Sequence, residues 1–106
     1  MKQYTLPEQT DKLIELGFEK PRVAMPKFEW KDGEPQFRYT IGELIEMLPI
    51  SFENDNDDTS WLEIEAGADW CVSYSSFGFT DYDCEREELI DALFDMVLRL
   101  KKEGVI

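Results

Sequence analysis

Histidine is absent from this chain of 106 residues, and between Tyr39 and Glu85 there is neither a lysine nor an arginine. Without imidazole, Ser-His-Asp and Cys-His relays are excluded, as are histidine-held metal sites. Cysteine occurs only at Cys71 and Cys84, too few for a disulfide scaffold and suited to a reducing compartment. A bridge between the two requires the ends of their strands to approach. No apolar run reaches the roughly 18 residues of a membrane span. The start Met1-Lys2-Gln3-Tyr4-Thr5 lacks the basic and apolar segments of a secretory signal, so a cytoplasmic protein without membrane contact is expected.

What is present is a globular composition. Hydrophobic residues make up 42%, with seven Phe, three Trp and four Tyr, enough apolar surface to offset the entropy of ordering a single domain over residues 1–106. The charge is distributed unevenly. Residues 1–38 carry seven acidic and seven basic side chains, and residues 86–106 carry five and four. The middle holds twelve acids (Glu43, Glu46, Glu53, Asp55, Asp57, Asp58, Glu63, Glu65, Asp69, Asp81, Asp83, Glu85) and accounts for nearly all of the net charge of −13. Such a field repels nucleic-acid phosphates and anionic lipid, attracts basic surfaces, and weakens with salt; it also keeps a protein soluble.

Hydrophobic periodicity predicts three helices and two hairpins. Thr5 and Glu8 form a capping-box pattern ahead of Leu13, Ile14 and Leu16, with Gly17 as the stop. Lys27–Trp30 and Gln36–Tyr39 alternate about Asp32-Gly33 as a hairpin. Thr40 and Glu43 repeat the capping box before Ile41, Leu44, Ile45 and Leu48, and Pro49 ends that helix. Glu53–Ser60 is a solvated loop by composition. Trp61–Glu65 and Trp70–Tyr74 alternate as a second strand pair. A last helix over about Glu85–Glu103 carries Leu89, Ile90, Leu93, Met96, Val97 and Leu100 on one stripe, acids near its start and Arg99, Lys101 and Lys102 near its end. The expected fold is α+β in the order α-β-β-α-β-β-α, an antiparallel sheet of about four strands with helices on one face. The alternative sets the long helix between the two hairpins.

Three chemical motifs invite tests. Ser75-Ser76-Phe77-Gly78-Phe79 has the aromatic-Gly-aromatic core of an RNA-reading strand, but serines stand where a basic residue and a glycine are needed, and acids surround it. Phe77, Phe79 and Tyr82 are instead expected as core or lid residues where a strand passes into a helix. The Asn54–Glu65 run imitates a calcium loop, yet its first position lacks a carboxylate and Thr59 replaces the required glycine. Cys84, close to a helix start, is surrounded by Asp81, Asp83, Glu85 and Glu87, which disfavour a reactive thiolate. No pair of carboxylates stands out for acid–base work, so catalysis, a cofactor and a metal are not expected.

The segments Tyr39-Thr40-Ile41-Gly42-Glu43-Leu44-Ile45-Glu46-Met47-Leu48-Pro49 and Glu88–Val97 with Lys101-Lys102-Glu103-Gly104 resemble small acidic proteins of unassigned function from gut anaerobic bacteria, their phages and mobile elements. The resemblance covers most of the chain through caps and stripes. It implies a genomic context and carries no catalytic residues across. The function expected is therefore a protein-binding accessory factor, in the form of a phage or mobile-element inhibitor or nucleic-acid-mimicking decoy. Its basic partner would be met by Glu53, Asp55, Asp57, Asp58, Glu63, Glu65, Asp69, Asp81 and Asp83. The alternative is a small ligand binder or enzyme using carboxylates and the aromatics Trp61, Trp70, Tyr74 and Tyr82. An exposed aromatic sheet face also suits a homodimer.

Overall fold

The computed structural model describes residues 1–106. Its elements are α1 (Pro7–Glu15), β1 (Val23–Ala24), a 3₁₀ turn (Lys27–Glu29), β2 (Phe37–Arg38), α2 (Ile41–Met47), β3 (Ser51–Glu53), β4 (Thr59–Ala66), β5 (Trp70–Ser76), β6 (Phe79–Arg86) and α3 (Leu89–Lys102). Strands β3-β4-β5-β6 form one antiparallel sheet, while β1 and β2 form a separate two-stranded ribbon. The fold is α+β with a four-stranded antiparallel sheet, as expected, but all four strands come from residues 51–86 and the first hairpin stays outside the sheet.

The reason is local chemistry. Pro26 immediately precedes the first predicted strand and Pro35 the second, and proline offers no amide to a ladder. Lys27–Glu29 is a 3₁₀ turn, not a strand, closed by the Glu29 amide donating to the Pro26 carbonyl (2.8 Å) and that of Trp30 to the Lys27 carbonyl (3.1 Å). Pairing falls to Val23↔Arg38 and Ala24↔Phe37, while Asp32-Gly33 turns the chain as predicted within the Lys31↔Glu34 bridge.

Helix ends follow their caps unevenly. At α2 the Thr40 hydroxyl accepts the Glu43 amide (3.1 Å) and the Glu43 carboxylate accepts the Thr40 amide (3.2 Å), the reciprocal box read in the sequence. At α1 the expected Thr5 cap does not form. Pro7 occupies the first helical position, where its missing amide costs nothing, and Gln9 Oε1 accepts the Leu6 amide (2.8 Å). Thr5 is buried instead, its hydroxyl accepting the Tyr39 amide (3.1 Å) and bonded to Thr10 Oγ1 (2.7 Å), which ties the N-terminal segment to the entry of α2. Gly17 and Gly104, at φ +96° and +77°, close α1 and α3 in Schellman geometry, with Phe18 donating to Leu13 and Val105 to Leu100.

The core is built on α3. Ile90, Leu93, Met96, Val97 and Leu100 are fully buried against Val72 and Tyr74 of β5, with Leu13, Leu44 and Leu48 from the N-terminal helices completing it. Helix α3 starts four residues later than the acids suggested because Glu85 and Arg86 still pair with Cys71 and Trp70 in the sheet. The chain is drawn out to 51 × 31 × 17 Å with a radius of gyration of 15.0 Å, against about 13 Å for a compact chain of this length. Helix α3 lies on one face of β5 and β6, and no helix packs over the other.

Candidate functional site

Strand register sorts the central side chains onto the two faces. Leu62, Ile64, Val72, Tyr74, Tyr82 and Cys84 point to α3. The opposite face carries Trp61, Glu63 and Glu65 on β4, Cys71, Ser73 and Ser75 on β5, and Asp83 and Glu85 on β6. Two rungs are explicit: Glu63–Ser73–Asp83 and Glu65–Cys71–Glu85. Edge strand β3 adds Glu53, opposite Thr59. The open face is thus a floor of small residues along β5, walled by carboxylates on both neighbouring strands. The Cys71 thiol registers the same arrangement: burial first, then Glu85, Asp83, Glu65 and Glu63, push its pKa above the usual thiol value.

The nine expected contact residues fall into distinct places. Glu53, Glu63, Glu65 and Asp83 share the open face, joined by Glu85. Asp55, Asp57 and Asp58 occupy the β3–β4 turn at one end, and Asp69 the β4–β5 turn at the other. Asp81 does not belong to the face. The β5–β6 register pairs Tyr74 with Tyr82 but Ser75 with Thr80, so Asp81 is the extra residue of a bulge. Its carboxylate turns to the α3 side, accepting hydrogen bonds from the hydroxyls of Ser60 and Ser76 (3.2 Å from Ser76). Sequence alternation alone places Asp81 with Asp83; only the bulge reverses it.

The acidic loop is more ordered than its composition implies. Asn54 Oδ1 accepts the amides of Asn56 (2.9 Å) and Asp58 (3.1 Å), while Nδ2 donates to Ser60 Oγ (3.2 Å) and Ser76 Oγ (3.0 Å). The turn is therefore anchored to the end of the sheet. No group of three or more acidic or cysteine side chains is arranged to hold a metal ion.

No ion pair forms on the open face or in its turns. Of the twelve middle acids, only Glu43 and Glu46 form ion pairs, both with Arg22 (3.7 and 2.9 Å). The other pairs, Lys2–Asp91, Arg38–Glu29, Arg86–Asp95 and Arg99–Glu103, lie elsewhere. Three cations rest over aromatic rings: Lys27 on Trp30 (5.9 Å), Arg99 on Tyr82 (5.2 Å) and Lys101 on Phe18 (5.6 Å). Trp61 has none.

Two aromatic expectations need correction. Phe77 and Phe79 are neither core nor lid: they stand exposed on the β5–β6 hairpin, because Phe77-Gly78 (φ +43° and +81°) reverses the chain into another strand rather than leading to a helix. Tyr82 does pack on the core side. Trp61, Trp70, Tyr74 and Tyr82 do not converge, since the sheet separates Trp61 from the other three. The two cysteines likewise project from opposite faces of adjacent strands, and both are free thiols. Cys84 sits in β6, not at a helix start, and burial first, with Asp95 and Asp83, raises its pKa to about 11.

An open cleft of about 800 Å³ lies at the hairpin end of this face, lined by Asp57, Asp58, Thr59, Trp61, Glu63, Ser75, Ser76, Phe77, Gly78 and Thr80. No helix of the chain is long and apolar enough to cross a membrane. Compared with known proteins, the chain matches no family model, no curated protein and no solved structure.

Proposed function

We propose that this chain is a protein-binding accessory factor that engages a basic surface through the open face of its sheet, as an inhibitor or nucleic-acid-mimicking decoy of phage or mobile-element origin does. The observation that carries the reading is one uncovered sheet face bearing Glu53, Glu63, Glu65, Asp83 and Glu85, none of them in an ion pair within the chain. Strand geometry sets the pattern. Carboxylates two residues apart on one strand are about 6.8 Å apart, and Glu63 and Asp83 face each other across β5 at about 10 Å. Two parallel rows of negative charge on a rigid sheet are a phosphate-like target for lysine and arginine, held without the ordering entropy of a flexible acidic tail. The same field opposes nucleic acid and face-to-face pairing of two copies.

The test is affinity capture from host lysate with the wild-type chain and with the E63Q/E65Q/D83N/E85Q variant, eluting from 50 mM to 1 M salt. Basic proteins released by salt from wild type and missing from the variant are expected. A captured protein should lose its nucleic-acid binding when the wild-type chain is added. Partners retained equally by the neutralised variant, or refractory to salt, refute the reading.

A further inference from the structure

We propose that the cleft at the hairpin end of the open face seats an arginine side chain of the basic partner, stacked on Trp61 and held by the carboxylates around it. The inference rests on the acidic-face reading and names what that face selects. The cleft is the one place on the face where large aromatic surface and unpaired acids meet: Trp61 is 54% exposed and Phe77 83%, beside Asp57, Asp58 and Glu63. Exposed single aromatics are ordinary, but this pair shares one concavity. Elsewhere in the chain Trp30, Tyr82 and Phe18 are each overlain by a cation from the chain itself, whereas Trp61 and Phe77 are left free.

Charge sets the sign of the occupant and shape sets its kind. An anion is repelled by three carboxylates, and a neutral apolar group leaves them desolvated without a partner. A cation satisfies both the acids and the quadrupole of the indole face. Arginine fits better than lysine because its planar guanidinium stacks on a ring while its fork of N–H donors reaches carboxylates at the rim; an ammonium is a more strongly hydrated point charge. From Trp61 the small-residue floor of Ser75, Ser73 and Cys71 runs about 13 Å toward Glu65 and Glu85, room for further cations of an extended segment.

The test uses the full chain, ¹⁵N-labelled, titrated with acetyl-Arg-Gly-Arg-Gly-Arg-amide and its lysine counterpart at 50 mM salt. The arginine peptide should bind about two- to fivefold more tightly and move the Trp61 indole N–H signal, and Trp61→Ala should abolish the preference. Phe77→Asn, which keeps the turn because asparagine tolerates its positive φ, should reduce it. Glu65→Gln with Glu85→Gln, outside the cleft, should weaken both peptides alike and leave the preference intact. Equal binding of the two peptides to wild type, or a preference that survives Trp61→Ala, overturns the arginine site while salt-dependent binding lost in E65Q/E85Q still upholds the acidic face. Absence of salt-dependent binding of either peptide overturns both.

Discussion

Four like charges on one rigid face repel, and removing them should make the protein more stable. Neutralising Glu63, Glu65, Asp83 and Glu85 tests this without touching the core. Their spacings of about 6.8 Å along a strand and about 10 Å across β5 give a summed Coulomb repulsion of about 2.8 kcal/mol in unscreened water. Screening over a Debye length of about 30 Å at 10 mM salt leaves about 2 kcal/mol, and over about 8 Å at 150 mM about 1 kcal/mol. These are upper bounds, because sequence neighbours repel in the unfolded chain too. Urea unfolding of wild type and E63Q/E65Q/D83N/E85Q should therefore show the variant more stable by up to about 2 kcal/mol at 10 mM salt, about half that at 150 mM, and equal to wild type at 1 M, with unchanged denaturant slope. A stability gap independent of salt, or a variant less stable than wild type at 10 mM, refutes the reasoning, since it means that the carboxylates do not act on one another across the face.

Other outcomes follow from the same geometry. Leu93, fully buried on α3, should cost about 2–5 kcal/mol on truncation to alanine, read by chemical denaturation. Phe77→Asn should raise stability by up to about 1 kcal/mol, because a bulky residue in the left-handed region carries roughly that much strain, while it weakens the cleft. Cys84 is raised from 9.0 to about 11 by burial, so the fold favours its protonated form; its contribution is intact below pH 9 and lost as pH rises through 11. Cys84→Ala should accordingly flatten the alkaline end of the stability profile. The Cys71 thiolate is disfavoured by burial first and then by Glu85, Asp83, Glu65 and Glu63. Alkylation of Cys71 at pH 8 should thus accelerate in E65Q/E85Q and with added salt, whereas a rate unmoved by either contradicts the placement of those acids.

Local chemistry by itself determined a good deal of this protein. The Thr40–Glu43 box, the glycine stops at Gly17 and Gly104, the alternation of Trp61–Glu65 and Trp70–Tyr74, and the stripe of α3 were all legible, because caps and periodicities act over a few residues. The charge imbalance was legible too, being pure composition. What the tertiary structure decided was placement. The first hairpin stays out of the sheet, and β3 and β6, whose local sequence signals are weak, complete it. Ser51–Glu53 is too short for a periodic signal, and Phe79–Arg86, rich in acids, reads poorly as a strand until its ladder to β5 is formed. The bulge at Asp81 moved one acid to the other side, and the free edge of space beyond the sheet left five others in common view. Whether scattered acids become a surface depends on strand register, a non-local quantity that no run of consecutive residues encodes.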